Sequence, residues 1–565
     1  MFRKPFRHVN SLSSTRLTLA MVGLFVLVQG GYRLAGVSFD ATPLIHFWQF
    51  LDPELLRSRL GESLLYLHSQ PPLFNLFLGL VLKLAPGAEA ATFGALYLAL
   101  GLALYLLTFA VMRQLGVGRP VALALSTWLM VSPSFVLYEH WLFYTLPLAT
   151  LLMTSAWLLG KLLAFGIWIR GFSRLGGPRE KPAEASNPTN QQSIFRTDDH
   201  AASDATADEN VRSNDFSRSA RATATKVATT NPPIFRTVPF GLATAFFLTL
   251  FLLAGIRSLF QLPYYLLLVA GLLVACRRCR RQIAWAALIP GLLVIALYGK
   301  NLALFGRFTT STWLGMNYWG VISRNISGPE LDALAAQGQL SPLARIDRFA
   351  PLADYPAEYR RATGYEEIMA LHQVAKSTGA VNYNHLAYLA ISDAYLRDAL
   401  YVTIHAPRFF LTGVIKGWFH YFQSSSDYVF VEVNRARIAG ISDLYDTLFY
   451  GKLPFDLAQV AALPLNHGGA RYVYLFLLTG LPLVVFYALR VASRWKEVGA
   501  LSASQRVLIL YLCFNIVYVA FVGNLLEVGE NNRFRFMTDP FSLALAGLFI
   551  ETAVMPRVRK RVIVS

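Results

Sequence analysis

Short polar segments that separate long apolar runs carry the side chains most suited to chemistry in this sequence. Three carboxylates in these segments, Asp40, Asp52 and Glu139, are candidate catalytic groups, because a positioned carboxylate can accept a proton from a hydroxyl group. Arginines in the same kind of segment are suited to bind an anion, since a guanidinium group forms paired hydrogen bonds with phosphate oxygens. The residue types therefore predict proton transfer beside a phosphate-bearing group.

The candidate binding residues come from loops that are far apart in the chain. They are His68, Gln70, His140, Arg257, Glu530, Arg533 and Arg535. Arg257 lies alone in "GIRSLFQLP" between two apolar runs, and a charge in that setting is costly unless it pairs or binds an anion. The segment "GNLLEVGENNRFRFMTDP" places both signs of charge side by side, which suits a phosphate-bearing lipid head. Helix capping or contact with lipid head groups is the alternative role for each of these residues.

Long apolar runs must position these groups, because they dominate the chain. The sequence has 565 residues, of which 55% are hydrophobic, and a mean hydropathy of +0.43. Runs such as "ATFGALYLALGLALYLLTFAV" reach the ~20 apolar residues that a helix needs to cross a bilayer. The net charge of +18 is explained by lysines and arginines at cytoplasmic helix ends, rather than by nucleic-acid binding. We therefore predict an all-α polytopic membrane protein.

Basic segments between the apolar runs determine the predicted topology, because they favour the cytoplasmic side. About ten transmembrane helices satisfy this rule, with both termini inside, if segments 71–86 and 406–422 lie along the outer surface. The ten predicted spans are 16–37, 91–112, 120–138, 145–166, 238–256, 261–276, 283–302, 471–490, 506–526 and 536–555. In this topology the candidate residues all lie at the outer face.

The same pattern divides the chain into five regions. They are an N-terminal transmembrane module with an acidic first external loop, a disordered cytoplasmic linker, further transmembrane helices, a small, mostly helical external region with an interfacial helix, and C-terminal transmembrane helices. In that order they span residues 1–166, 167–237, 238–302, 303–470 and 471–565. The linker is predicted from its small polar residues, which cannot bury enough apolar surface to fold.

Three motifs in this order resemble the GT-C superfamily of membrane glycosyltransferases, which includes protein O-mannosyltransferases and lipid A aminoarabinose transferases. The motifs are "HSQPPLFNL", which opens a juxtamembrane helix, "KNLALFGRFTTSTWLGMN", and "ENNRFRFMTDPF", which resembles the E-x-x-R-[FY]-R turn of bacterial members. The resemblance covers most of the chain outside the linker. Where the family often has adjacent acids after the first span, this chain has "FDATP", so Asp40 stands alone with Asp52 as a rival.

The resemblance implies transfer of a sugar from a polyprenyl-phosphate donor to a glycan, lipid or protein acceptor at the non-cytoplasmic face of a bacterial inner membrane. Asp40 would accept the proton of the acceptor hydroxyl, and the three arginines would stabilise the charge on the leaving phosphate. His68 and Gln70 would bind the sugar or the phosphate, and Glu139 would assist Asp40 or share a divalent cation with it. That cation is optional, since some relatives need one and others do not.

Two other functions fit parts of the sequence. A transporter or flippase of a lipid-linked or anionic substrate would use Arg257 and the charged segment 527–539 as its pathway. Transporters often contain paired broken helices or inverted repeats, and no such repeat is evident in the sequence. A non-catalytic GT-C relative that binds polyprenyl phosphate is the other alternative, and the single acid at Asp40 favours it.

Overall fold

The computed structural model describes residues 14–164, 239–453, 471–472, 475–493 and 501–558. The predicted linker, 167–237, lies outside the described residues. Helices dominate the described chain, and its strands are two residues long each, Lys452–Leu453 and Arg471–Tyr472, paired antiparallel. The prediction of an α-helical fold is therefore confirmed for the described part of the chain.

Nine helices are described in residues 14–164, before the predicted linker. They are α1 (Ser14–Leu34), α2 (Pro43–His46), α3 (Pro53–Ser58), α4 (Leu60–Leu65), α5 (Leu73–Leu84), α6 (Glu89–Gln114), α7 (Arg119–Val131), α8 (Pro133–Glu139) and α9 (Thr145–Ala164). Helix α5 begins directly after the "QPP" sequence, because proline at a helix start loses no backbone hydrogen bond. Ser132 accepts a hydrogen bond from the Phe135 N–H and so caps α8.

Fourteen more α-helices are described between residues 239 and 558, after the predicted linker. They are α10 (Phe240–Ile256), α11 (Leu262–Ala275), α12 (Arg280–Phe305), α13 (Leu314–Ser323), α14 (Gly328–Ala336), α15 (Ala357–Arg360), α16 (Met369–His372), α17 (Tyr388–His405), α18 (Pro407–Phe422), α19 (Glu432–Arg437), α20 (Ala439–Tyr450), α21 (Leu475–Ser493), α22 (Ala503–Leu526) and α23 (Asn531–Phe549). Short 3₁₀ turns cover Arg277–Cys279, Pro342–Arg345, Leu352–Asp354 and Val429–Val431, and a π-helical turn, Ile550–Val554, extends α23.

Six described helices are long and apolar enough to cross a membrane, or seven if α7 and α8 count as one broken span bent by 58°. The chain is thus a polytopic α-helical membrane protein. The predicted count of ten is not reached, although each of the ten predicted segments contains a described helix. The difference arises at α10, α11 and the Gly480–Ser493 part of α21, which are shorter than the ~20 residues of a full span. Helix α10 ends at the extended residue Arg257, and the bend between α7 and α8 is at Pro133.

Helix α9 is at the centre of the helical bundle. It packs against α6, α10, α22 and α23, and most of its side chains are buried. Small residues allow this close packing. Within a membrane the hydrophobic effect does not drive helices together, so close van der Waals contact between them stabilises the bundle. A Cβ atom on Gly160, for example, would lie 2.0 Å from the Gln114 Oε1 atom of α6.

The external region has its own core, built on the contact between α13 and α17. Aromatic and aliphatic residues fill it, among them Trp313, Trp319, Tyr388 and Tyr395. The two helices approach so closely that a Cβ atom on Gly315 would lie 1.8 Å from the backbone oxygen of Ser392. Helix α18 then connects this core to the bundle by packing against α22 and α23.

Candidate functional site

The ends of three bundle helices, α9, α10 and α23, meet at one site. Arg257, at the end of α10, donates a hydrogen bond to the Tyr144 hydroxyl, just before α9. The Arg257 Nη2 atom also lies 3.7 Å from Glu530 Oε2, just before α23. Arg533, in the first turn of α23, donates to the Thr145 hydroxyl at 3.3 Å. Two predicted loops, around Arg257 and around Arg533, therefore share one site.

Glu530 lies between two arginines and is the centre of this cluster. Its Oε2 atom accepts a hydrogen bond from Arg533 and faces Arg257, while Oε1 accepts one from the Tyr428 hydroxyl at 2.9 Å. Burial works against the charged form of Glu530, but Arg533 and Arg257 hold the pKa of this carboxyl below its ordinary value. The cluster consequently carries two positive charges against one negative charge.

A second ion pair joins the external region to the end of α22. The Arg348 Nη2 atom lies 3.2 Å from the Glu527 Oε1 atom, and both side chains are largely buried. Burial raises the pKa of Glu527 above its ordinary value, against the opposing effect of Arg348. The pKa values of these two glutamates, three residues apart, are therefore shifted in opposite directions: the charged form is favoured at Glu530 and the protonated form at Glu527.

These groups line a cavity of about 150 Å³, which we call the charged cleft. Its charged lining residues are Arg257, Arg324, Arg348, Glu527 and Glu530. Three arginines against two glutamates leave an excess of positive charge, which a bound anion would neutralise. Arg324 is exposed and donates only a long hydrogen bond, 3.4 Å, to the Val528 backbone oxygen.

Two larger cavities adjoin the charged cleft and share lining residues with it. One, the polar cavity, has about 420 Å³ and shares Arg324, Tyr428 and Gly529 with the cleft. The other, the apolar cavity, has about 260 Å³ and shares Arg257 and Glu527. Arg324, Asp427, Glu432, Arg435 and Lys452 line the polar cavity. The apolar cavity has Leu259, Phe308, Leu314, Leu526 and Phe534 in its wall, together with the polar residues Ser258, Gln261, Thr309, Ser311 and Asn317. The charged cleft therefore shares lining residues with both larger cavities.

Asp40, the preferred catalytic base, is held by its backbone against the segment that follows α8. Its N–H donates to the His140 oxygen at 2.8 Å, and its own oxygen accepts from the Leu142 N–H at 2.9 Å. The Asp40 Oδ1 atom accepts hydrogen bonds from the Thr42 N–H and hydroxyl, at 2.9 and 2.6 Å. The carboxylate is partly exposed.

Asp40 is not among the residues that line the charged cleft. Its bridge partner Trp141 packs against Tyr428, with ring centroids 5.6 Å apart. Tyr428 in turn donates to Glu530. Asp40 is therefore not placed in the charged cleft with the candidate residue Arg257, because its backbone pairs with the segment at Trp141.

Asp52, the rival base, has a structural role. One carboxylate oxygen caps α3 by accepting from the Glu54 N–H at 2.9 Å and also accepts from the Ser377 hydroxyl at 2.5 Å. The other oxygen accepts from the Ser377 N–H at 2.7 Å. Asp52 is only 4% exposed, and both of its carboxylate oxygens already accept hydrogen bonds. Its position therefore favours a structural role, in which it holds the first loop against the external region, over a catalytic one.

Glu139 and His140 lie inside the bundle rather than in the charged cleft. Both Glu139 carboxyl oxygens are buried without a hydrogen-bond partner among the described residues. The absence of a side chain at Gly101 makes room for this carboxyl group, since a Cβ atom there would lie 1.8 Å from Glu139 Oε1. The His140 Nδ1 atom bonds the Val136 oxygen, and burial lowers the pKa of His140. These positions do not support the predicted assistance to Asp40 or a substrate-binding role.

The predicted pair His68 and Gln70 divides between two roles. The His68 Nε2 atom bonds the Asn384 oxygen at 3.0 Å and Nδ1 bonds the Thr312 hydroxyl at 2.8 Å, so both ring nitrogens are used. Burial and the nearby Lys300 lower the pKa of His68 to about 3, and the ring is therefore neutral. His68 therefore holds the first loop against the external region through these hydrogen bonds. Gln70 lines the charged cleft, as expected of a binding residue.

Arg535 faces away from the cleft, which corrects the prediction that it acts with Arg257 and Arg533. Residues two apart on a helix are separated by roughly 200°, so Arg533 and Arg535 lie on opposite sides of α23. Arg535 donates to the Tyr421 and Gln423 backbone oxygens and to the Ser425 hydroxyl, at 3.0, 2.7 and 2.8 Å, and pairs with Asp539. The bonds to Tyr421, Gln423 and Ser425 hold the end of α18 and the residues after it against α23.

Sequence reasoning missed several residues of the cleft, among them Trp48, Arg324, Arg348 and Tyr428. Arginines are common on exposed polar helices, so nothing local marks Arg324 or Arg348 as site residues. Their role follows only from the packing of the external region on the helix ends. No motif in the sequence around these four residues indicates that they line a cleft.

Neither a metal-binding group nor a similar known protein identifies the function of this site. Among the residues that the structure describes, no three His, Cys, Asp or Glu side chains are grouped closely enough to hold a metal ion. The predicted divalent cation therefore stays a prediction. Comparisons with known protein families, with curated proteins and with solved structures find no match to this chain. The resemblance to GT-C glycosyltransferases likewise remains a prediction from the motifs.

Proposed function

We propose that this chain is a membrane glycosyltransferase of the GT-C type. It transfers a sugar from a polyprenyl-phosphate donor to a glycan, lipid or protein acceptor at the outer face of a bacterial inner membrane. In this proposal the short helices α10, α11 and α21 complete about ten spans with their neighbours. The observation that carries the proposal is the sharing of the Glu530 carboxylate by Arg257 and Arg533 in a cleft at the helix ends.

The excess of arginine in the charged cleft supports a phosphate ligand. Arg533 is 1% exposed, so its charge cannot be satisfied by water and is held by Glu530 and by aromatic rings instead. A phosphate in the charged cleft would accept charge-assisted hydrogen bonds from Arg257, Arg324 and Arg348, which line that space. Arg533 lies behind Glu530 and would add its positive charge to the site through that shared carboxylate. The same arginines would stabilise the charge that develops on the phosphate as it leaves the sugar.

The adjoining cavities suit the other parts of such a reaction. The apolar cavity begins at Arg257 and has exposed Phe308 and Leu314 in its wall, so a prenyl chain could run from the phosphate along it towards the lipid. The polar cavity, on the other side of the cleft, has room for a hydroxylated acceptor. Donor phosphate and acceptor would then meet where the cavities join, near Tyr428 and Gly529.

The transfer step follows from these positions. The acceptor hydroxyl oxygen forms a bond to the anomeric carbon, and the bond from that carbon to the phosphate oxygen breaks with its electron pair going to the phosphate. The hydroxyl proton goes to a carboxylate, for which Asp40 is the candidate because its Oδ2 atom has no hydrogen bond among the described residues.

Lipid binding tests the phosphate site. Protein purified into lipid nanodiscs would be titrated with polyprenyl phosphate, and the bound lipid measured by native mass spectrometry. Removing one charge-assisted hydrogen bond costs ~1.5–3 kcal/mol, so Arg257→Gln and Arg533→Gln should each weaken binding by roughly 10- to 100-fold. Arg345→Gln is the matched control, because Arg345 forms an exposed pair with Asp332 outside the cleft. Unchanged affinity in both cleft variants would refute the phosphate site.

A turnover assay then separates the proposed activity from its alternatives. Polyprenyl-phosphate-linked hexose with a radiolabelled sugar would be incubated with the protein and membrane extract as acceptor source. Movement of label from lipid to acceptor supports a transferase. Movement of intact lipid across proteoliposomes without loss of the sugar would indicate a flippase, and binding without either reaction would indicate a non-catalytic lipid-binding relative.

A further inference from the structure

One wall of the charged cleft is made of aromatic rings and amides instead of charges. Trp48, Phe349 and Phe430 supply the rings, and Gln49, Gln70 and Asn317 the amides. Trp48 and Phe349 pack on each other with ring centroids 4.9 Å apart and an angle of 31°. Trp48 is half-buried, so part of its ring remains open beside the cleft. This wall faces the same space as the arginines that we assign to the phosphate.

Gln49 has a buried acceptor that the described residues leave unsatisfied. The residue is 7% exposed, and its Oε1 atom has no hydrogen-bond donor in the described chain. Its loop is held in place by Asn75, which donates to the Gln49 backbone oxygen at 3.2 Å and accepts from the Leu51 N–H at 2.8 Å. Buried polar atoms are normally hydrogen-bonded, so an unmet acceptor in the wall of a cavity indicates a ligand donor such as a hydroxyl group.

The carboxylates of the cleft are already paired, which restricts the charge of that ligand. In the described chain, Glu527 pairs with Arg348, and Glu530 with Arg257 and Arg533. An ammonium group on the ligand would therefore have to compete with arginines for its counter-ion. A neutral hydroxylated ring has no such cost, and its apolar C–H face can pack on an indole ring.

The size of the cleft agrees with a single ring. Its volume of about 150 Å³ lies below the ~300–1,000 Å³ of sites for drug-sized ligands. A longer glycan would have to extend into the polar cavity, which is the larger space and the one that we assign to the acceptor.

From this wall we infer that Trp48 and Gln49 bind the sugar of the donor, with the ring on the Trp48 face and a hydroxyl donating to Gln49 Oε1. The sugar is a neutral hydroxylated ring rather than an amino sugar, and a hexose serves as the probe for it. This inference rests on the proposed function, because it places the sugar next to the phosphate site at Arg257 and Arg533.

Three lipids separate the contributions of phosphate and sugar. Polyprenyl phosphate, its hexose-linked form and its amino-sugar-linked form would each be titrated into nanodiscs and measured by native mass spectrometry. The hexose-linked lipid should bind about 5- to 10-fold more tightly than polyprenyl phosphate, since it adds one hydrogen bond and one ring contact. The amino-sugar-linked form should lack this gain.

Variants of the two residues should remove the contribution of the sugar alone. Trp48→Leu and Gln49→Leu should each lower affinity for the hexose-linked lipid about 5-fold and leave the binding of polyprenyl phosphate unchanged, which also shows that they fold. Trp48→Phe should keep most of the gain. Gln49→Glu supplies an unpaired carboxylate and should shift the preference towards the amino sugar. Trp285→Leu and Gln337→Leu are the controls, because Trp285 is 65% exposed on α12 and Gln337 is exposed in the external region.

The outcomes distinguish this inference from the function on which it rests. If wild-type protein binds none of the three lipids, the proposed function fails. If it binds polyprenyl phosphate but the hexose adds no affinity, or if Trp48→Leu and Gln49→Leu keep the full gain, the sugar site is refuted and the phosphate site stands. A preference of the wild-type protein for the amino sugar would refute the assignment of a neutral ring.

Discussion

Replacing Glu530 by glutamine tests the charge balance of the cleft most directly. The change keeps the shape of the side chain but leaves Arg257 and Arg533 without their shared carboxylate. Breaking a buried ion pair by removing one partner costs ~3–5 kcal/mol, and the 1% exposure of Arg533 places this pair in that class. We therefore expect Glu530→Gln to be strongly destabilised in the absence of lipid phosphate.

Polyprenyl phosphate should rescue this variant more than it stabilises the wild type, because its phosphate would replace the missing carboxylate. A ligand at 100 times its dissociation constant stabilises by ~2.7 kcal/mol, so the rescue is measurable by thermal unfolding in nanodiscs with intrinsic fluorescence. Glu62→Gln is the matched control, since Glu62 forms an exposed pair with Arg59 that should contribute little. Equal stabilisation of wild type and Glu530→Gln by the lipid would refute the reasoning.

The same residue predicts a pH dependence with a definite sign. Arg533 and Arg257 hold the pKa of Glu530 below its ordinary value of 4.5, although burial opposes this. A carboxyl group with a lowered pKa in the folded state contributes stability that is present above the ordinary pKa and is lost as the pH falls through the folded value. Wild-type stability should therefore decrease below pH 4.5 by an amount that Glu530→Gln lacks, as measured by unfolding at a series of pH values.

Three further substitutions separate chemistry from structure. Asp40→Asn should abolish sugar transfer in the radiolabel assay while polyprenyl phosphate binding is unchanged, because the amide cannot accept the proton. Asp52→Ala should lower the free energy of unfolding by ~0.5–2 kcal/mol through loss of the α3 cap, with the remaining folded protein still active. Gly315→Ala should destabilise the external region, measured by limited proteolysis, since its Cβ atom would lie 1.8 Å from the Ser392 oxygen.

Each of these substitutions has its own control and contrary result. Asn is nearly the size of Asp, so full transfer activity in Asp40→Asn would remove Asp40 from the mechanism. Loss of transfer in folded Asp52→Ala, with donor binding intact, would return Asp52 to the list of candidate bases. For Gly315, the matched control is Gly328→Ala, where no atom lies within 4 Å of the added Cβ atom. Equal proteolysis of both glycine variants would contradict the packing argument.

Apolar periodicity predicted the helices well, because each long apolar run must satisfy its backbone hydrogen bonds internally in a membrane. Each of the ten predicted spans contains a described helix, and the surface segments 71–86 and 406–422 contain α5 and α18. The span count differed because α10, α11 and the Gly480–Ser493 part of α21 are shorter than a full span. Helix α10 ends at Ile256, as predicted, and Arg257 beyond it contacts Tyr144 and Glu530 from other parts of the chain.

The candidate site shows the same division between local and distant information. Residue type alone selected Arg257, Glu530 and Arg533, since buried charges of opposite sign in apolar surroundings must meet one another. Residue type could not separate Arg533 from Arg535, because that difference is a matter of which side of α23 each one faces. Residue type also placed Asp52 among the catalytic candidates. In the structure the Asp52 carboxylate accepts hydrogen bonds from Ser377 and so connects two loops.

The amino-acid sequence by itself determined that this chain is an α-helical membrane protein and which charges it must accommodate between its apolar helices. These properties follow from composition and local spacing, since the backbone N–H and C=O groups of each helix form their hydrogen bonds within that helix. Only the tertiary structure decided which charges share a cleft, that Arg348 and Trp48 join it, and that His68 and Arg535 hold the fold together. Those outcomes depend on the packing of segments hundreds of residues apart, and no local pattern encodes them.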